Sequence, residues 1–307
     1  MTIDFRAGIP GVDVIIPAYN AARFLPSAIE SVVAQTYRDW RIVLVDDGST
    51  DDTEAVIAPY ASRLGARLKY IRKANGGLPA ARNTAVRNSS AELLALLDAD
   101  DVWLPGRLAR SVEAFRGAPG VGLVYGFISR IDMDGRVMDT FAGRQKGEQG
   151  WIASGIYKRT VDLPCPTVTF RRECVEAVGL FDESLRATED RDLWLRIAQR
   201  YEVRLVPEVI AYYRVSPNAM TTDPERMLRA QLQFIEKHAG SAGCGVWARR
   251  VALGGVYRQR AQALGDLRAA IGSAGRALVF DPVDGGSWRV AVSLLLRLAR
   301  LIVDGKD

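Results

Sequence analysis

Four short apolar runs, each ending in polar residues capable of chemistry, constrain this chain more than any other feature. Residues 12–17, 41–45, 68–71 and 93–97 read as strands, and helical patterns such as 26–35 and 53–64 separate them. Strand and helix in alternation is the pattern of βα units around a parallel sheet. The runs are nearly unbroken, as strands covered on both faces require. Open α/β sheets bind ligands beyond the carboxyl ends of their strands, so the segments just after these runs are the candidate site.

A chain of 307 residues with 48% hydrophobic and 25% charged side chains can bury one large α/β domain and carry an appendage. Cys165, Cys174 and Cys244 form no CxxC pair and have no histidines at zinc spacing, so free thiols in a reducing compartment are expected. No basic and apolar leader opens the chain, and no run reaches the roughly 20 apolar residues of a spanning helix. The expected location is cytoplasmic, with peripheral attachment to the inner face of the cell membrane left open. The net charge is +5, and it is unevenly placed. From residue 226 onward 13 basic residues face 6 acidic ones, a net of +7, while the first 225 residues carry 28 against 30. Nucleic acid or an anionic membrane surface could answer such an excess.

The first strand runs into Pro17-Ala18-Tyr19-Asn20, where an aromatic ring and an amide suit a base and a ribose or a plain turn. The second ends in Asp46-Asp47-Gly48-Ser49-Thr50-Asp51. Ser49, Thr50 or Asp51 could cap the next helix, which leaves other acids of the run free to accept hydrogen bonds from a ribose or a base. Gly76-Gly77 before Pro79 gives a turn with exposed amide N–H groups suited to an anion. Arg82 then sits near a helix start, against the dipole's preference, which points to a phosphate or carboxylate partner.

The sharpest signal is Asp98-Ala99-Asp100-Asp101 directly after an apolar strand. Three carboxylates in four residues repel one another unless a cation sits among them, and oxygen ligands of this kind select Mg²⁺ or Mn²⁺. Asp101 alone is explained as a cap for a following helix. A last acidic cluster, Glu189-Asp190-Arg191-Asp192, opens a helix whose apolar residues begin at Leu193. Acids there complement the dipole, and one of them could serve as a general base.

Taken in order, these five motifs and Val178-Gly179-Leu180-Phe181-Asp182-Glu183 resemble the family 2 glycosyltransferases of the GT-A fold, over residues 10 to 220. The resemblance implies a Rossmann-like, mostly parallel sheet flanked by helices, forming a catalytic domain over residues 1–225, with a C-terminal helical arm over 226–307. It implies that Asp98 and Asp100 tie Mg²⁺ or Mn²⁺ to the donor diphosphate. Pro17, Tyr19, Asn20, Asp47, Arg82, Asp98 and Arg214 would bind the donor, a nucleotide sugar expected to be a UDP-sugar. Asp190 would be the base of an inverting transfer to a saccharide or lipid-linked acceptor, in bacterial-type polysaccharide or glycolipid assembly. Many relatives have a histidine near the position of Ser216, and here the only histidine is His238. That departure leaves an inactive nucleotide-sugar-binding or membrane-complex protein as an alternative. A sugar nucleotidyltransferase should show a glycine- and arginine-rich loop after the first strand, and residues 17–20 offer none. A dinucleotide dehydrogenase fits worse, because Gly120, Gly122 and Gly126 do not form GxGxxG.

Residues 131–137 read as a hairpin turning at Asp134-Gly135, and 141–152 as a loop. With the segment 157–171 this loop is expected to set acceptor specificity. Beyond residue 224 the pattern is helical, with breaks expected at 240–245, 254–255 and 281–286. From Trp288 to Asp304 the polar residues Arg289, Ser293, Arg297, Arg300 and Asp304 share about 80° of a helical wheel, which leaves a broad apolar face. Such a face packs on the protein or lies on an anionic membrane surface. No nucleic acid is expected as a partner.

Overall fold

The computed structural model describes residues 11–139, 147–185, 187–217 and 223–303. The part of the expected loop between residues 140 and 146 lies outside them. By compactness the chain divides into two units, residues up to 152 with 161–217, and 153–160 with everything after 217.

The first unit is built on one sheet. Its strands are β1 (Val12–Ala18), β2 (Trp40–Asp46), β3 (Leu68–Arg72), β4 (Leu93–Leu96), β5 (Val102–Trp103), β6 (Val121–Ile131), β7 (Val137–Asp139), β8 (Thr169–Arg171) and β9 (Glu202–Arg214). Their order is β3-β2-β1-β4-β8-β6-β9-β5, with β7 on β6. Pairings among β1 to β4 are parallel, as is β6 with β9, while β8, β5 and β7 run antiparallel to their neighbours. The four strands read from sequence are β1 to β4, within a residue at each end.

β1 is buried along its whole length, and the reason is visible on both sides of it. Val12, Val14 and Ile16 join one core with Ile42, Leu44, Leu93 and Ala95. The helix α1 (Leu25–Val33) closes that core through Leu25, Ala28, Ile29 and Val32, the spacing of one helical face. One charge sits in this strand. Asp13 is fully buried and accepts from Arg41 Nε and Nη2 at 3.0 and 2.9 Å and from the Ser90 and Ala91 amides. It pins the connection before β4 to the start of β1.

The helices α2 (Thr53–Leu64), α3 (Leu78–Arg87), α4 (Arg107–Phe115), α6 (Arg172–Val178) and α7 (Glu189–Ala198) flank this sheet. The expected hairpin is present as β6, a turn with Gly135 at φ +84°, and β7.

The second unit contains α5 (Ala153–Lys158), α8 (Pro224–His238), α9 (Val246–Ala263), α10 (Leu267–Phe280) and α11 (Gly285–Val303). Breaks fall at 239–245 and 281–284, but α9 runs unbroken through Gly254-Gly255, where a break was expected. Packing supplies the reason. A Cβ on Gly254 would lie 2.6 Å from the Asp281 Cβ and 3.3 Å from the Ala277 carbonyl oxygen, so this glycine lets α10 approach α9 closely. Among the described residues no helix is long and apolar enough to cross a membrane.

Replacing Asp13 by alanine should strand Arg41, the buried Ala91 amide and the Ser90 amide. The expected cost is about 3–5 kcal/mol, the usual result of breaking a buried charge pair. Chemical unfolding would detect it as a lower midpoint, and a midpoint near wild type would mean that Asp13 does not hold β1 to β4.

Candidate functional site

Sheet order puts the ends of β2, β1 and β4 side by side, so the three motifs that follow them are neighbours. Pro17 is tolerated within β1 because its missing N–H faces the β4 side, and β4 has already stopped at Leu96, opposite Ile15. Tyr19 is 54% exposed just beyond the strand. Asn20 has φ +50°, and its side chain accepts from the Thr50 amide at 2.8 Å while its own amide donates to Ser49 Oγ. The turns after β1 and β2 are thereby tied together.

The acids after β2 are already occupied. Asp46 accepts from the Ser49 amide and the Tyr70 hydroxyl. Asp47 accepts from the Gly76 and Gly77 amides, the latter at 2.7 Å, and from Lys73 Nζ at 2.6 Å. The glycine amides expected to face a bound anion therefore already hold one, the carboxylate of Asp47. Gly77, at φ +90°, makes that geometry possible at the start of α3. Capping of α2 also differs from a simple N-cap: Asp51 Oδ1 accepts from the Thr53 amide, one residue beyond Asp52.

Arg82 is buried in α3, and its partners come from far along the chain. Nη2 donates to Asp98 Oδ1 at 2.7 Å and to Cys165 Sγ at 3.2 Å, and Nη1 donates to Glu189 Oε1 at 2.8 Å. Asn83, the next residue, fastens the segment before α7 by bonding the Phe181 backbone in both directions and Glu183. The end of β4 and the start of α7 are thus held on one helix.

The acidic turn after β4 is electrostatically crowded. Burial and the neighbouring Asp98 push Asp100 up to about 6. Asp101 does not cap a helix, because β5 follows it. One of its oxygens accepts the Arg214 amide hydrogen at 2.8 Å, and the other is buried with no hydrogen-bond partner among the described residues. Burial, with Asp100 and Asp98, holds Asp101 far above the ordinary carboxylate range. Arg214 lies beneath this turn, with Nε on the Asp100 carbonyl oxygen and Nη1 on that of Asp132. Tyr213 also faces the three acids, and burial with Asp101 raises its hydroxyl's pKa.

These residues suit a hard divalent cation. Asp98 keeps one carboxylate oxygen away from Arg82, Asp100 is an acid pressed toward its protonated form, and a cation would relieve both. Among the described residues no three histidine, cysteine or acidic side chains are grouped to hold a metal. Phosphate oxygens and water would have to complete the shell, as they commonly do for Mg²⁺.

At the start of α7, burial and Asp190 push Glu189 up to about 7, even with Arg82 beside it. Burial also raises Asp190, against Arg82 and Arg191. Cys165 and Tyr213 are site residues for which neither spacing nor composition gives a signal.

Comparisons with known proteins give the chain's family and fold. The Glycosyl transferase family 2 model matches residues 13–177. An uncharacterised glycosyltransferase of Nostoc sp. is 35% identical over 239 residues, 74% of each chain. The chain belongs to glycosyltransferase family 2. It spans 66% of one Rickettsia glycosyltransferase and 35% of another. Two solved structures share the fold: S. aureus TarS 1–349, at TM-score 0.60 and 16% identity over 96% of this chain and 92% of that one, and the mannosyltransferase PcManGT from Pyrobaculum calidifontis in complex with GDP-Man and Mn²⁺, at 0.60 and 22% over 98% and 89%. The expected α/β fold of GT-A type, with a helical C-terminal region, is the fold found.

Arg82→Met should leave Glu189 and Asp98 without their cation and cost about 3–5 kcal/mol near pH 8. Glu189, already raised to about 7, then rises further. A folded acid with a raised pKa destabilises only when ionised, so the deficit should shrink as pH falls from 8 to 5. Thermal unfolding of both proteins across that range tests this, and a deficit that does not change with pH would show that the paired charges are not its cause.

Proposed function

We propose that the chain is an inverting glycosyltransferase that moves a sugar from a nucleoside-diphosphate sugar to an acceptor hydroxyl. One observation carries this reading: Arg82 joins Asp98, beyond β4, to Glu189, which precedes Asp190 at the start of α7. Such a transfer needs charge neutralised on the leaving side and a base on the accepting side, held in fixed relation. Asp98 and Asp100 would hold Mg²⁺ or Mn²⁺, which when bound neutralises the departing diphosphate.

The residues' own roles follow. Tyr19, just past the end of β1, offers an exposed ring for the base, with Pro17 and Asn20 shaping that edge and Asp47 fixing the turn at Gly76-Gly77 beside it. Arg214 adds positive charge beneath the acidic turn. Arg82 acts on the donor through Asp98 and does not need to touch it. Asp190 takes the proton of the acceptor hydroxyl, and the oxygen bonds to the anomeric carbon on the face opposite the diphosphate. The bond from that carbon to the diphosphate oxygen breaks, and its electron pair leaves with the nucleotide. A carboxylate whose pKa is raised by burial is the stronger base.

A UDP-sugar is the first donor to try, followed by GDP-sugars. Structures of TarS are titled with UDP and with UDP-GlcNAc, and that of PcManGT with GDP-Man. The acceptor is a saccharide or a lipid-linked sugar of bacterial-type polysaccharide or glycolipid assembly. Cytoplasmic placement fits a nucleotide-sugar donor.

Asp190→Asn should keep Mn²⁺-dependent donor binding and lose about 10²- to 10⁴-fold in transfer, the usual contribution of a positioned base. Nucleoside diphosphate release and donor titration on the same preparation measure the two effects. Near wild-type turnover in Asp190→Asn, with loss in Glu189→Gln instead, would move the base to Glu189. No turnover by the wild-type chain with any nucleotide sugar would favour a binding protein.

A further inference from the structure

In the second unit α9 and α10 run antiparallel, so the start of α9, the end of α10 and the start of α11 meet. Arg250 donates to the Val279 and Phe280 carbonyl oxygens at 3.3 Å each, and the Trp288 indole donates to that of Pro282 at 2.8 Å. Val246, Trp247, Val279, Val283 and Trp288 are all more than half exposed at this end. α11 extends the apolar surface. Its Ser287 is buried, while Val292, Leu295 and Leu296 are 49–58% exposed. At 100° per residue Trp288, Val292, Leu295 and Leu296 span about 100°, with Arg289, Ser293 and Arg297 in the next 100°. Exposed apolar residues gathered at one end of these helices and along one face of α11 mark an interaction site.

Charge selects what covers it. α11 contains no acidic residue. Arg289 and Arg297 have no hydrogen-bond or ion-pair partner among the described residues. With Arg258 they line a groove of about 660 Å³. The acid in that groove, Asp284, is already taken, by Arg258 and by the Gly286 and Ser287 amides that it caps. A second copy seated symmetrically on this surface would set these arginines against one another. A bilayer interface answers each feature at once: acyl chains take the aliphatic stripe, the headgroup layer takes the two tryptophans, and lipid phosphates take the guanidinium groups.

We propose that α11, with the adjoining ends of α9 and α10, lies in the interface of a bilayer containing anionic lipid, with phosphates at Arg289 and Arg297. The helix rests in the interface plane and does not span. This goes beyond the transferase reading and is tested with neither donor nor acceptor present.

The full chain should float with vesicles containing phosphatidylglycerol and stay behind with phosphatidylcholine alone. Leu296→Glu, at an exposed position that the fold does not need, should abolish flotation while leaving the melting temperature unchanged. The Arg289→Gln, Arg297→Gln double variant should bind about 30-fold more weakly, the effect of removing two surface cations. Three results would overturn the proposal: no flotation of the wild-type chain, equal flotation of Leu296→Glu, or lipid-free dimerisation that Leu296→Glu abolishes, since a second copy would then be the occupant.

Discussion

Arg82 is 2% exposed, and side chains from three distant stretches of chain converge on it: Asp98 after β4, Cys165 in the connection before β8, and Glu189 at the start of α7. Burying these carboxylates without their cation would be costly, and burying the cation without them equally so. The arrangement therefore forms as a set or not at all. Asp98, Glu189 and Asp190 gather around this one cation, while Asp100 lies by Arg214; burial raises Asp100, Glu189 and Asp190, and neighbouring acids add to the rise of the first two.

The rest of the site follows from how the sheet is ordered. Parallel strands β2, β1 and β4 deliver their carboxyl ends to one edge, and short bonds between turns, such as Asn20 to Thr50 and Asp47 to Gly77, fix that edge. The sheet's mixed half contributes from the other direction. β9 brings Arg214 beneath the acidic turn, where its amide satisfies one oxygen of Asp101. The proposed nucleotide-sugar site would need such a balance of acids and arginines at the acidic turn, where Asp98 and Asp100 would be left with oxygens for a metal.

Local chemistry was legible in the sequence wherever neighbours in the chain are also neighbours in space. The strands β1 to β4, the hairpin at Gly135 and the acidic run at Asp98 all announce themselves within a few residues. Partners chosen across the fold do not. Nothing near Arg82 names Glu189, 107 residues away, and nothing near Gly76 shows that Asp47 will occupy its amides. Asp101 looked like a cap because a short strand pairing with β9 leaves no local trace in the sequence. Gly254-Gly255 looked like a break because glycine is a poor helix former, and only the approach of Asp281 reveals it as a contact.

The central claim is that Arg82 and Glu189 form one coupled unit that holds the two ends of the site together. A double-mutant cycle on stability, using Arg82→Met, Glu189→Gln and the pair, measures that coupling directly at pH 8. If the claim holds, the double variant is more stable than Arg82→Met alone, because the stranded carboxylate is gone, and the coupling exceeds about 1.5 kcal/mol. Additive losses, within about 0.5 kcal/mol, would contradict it.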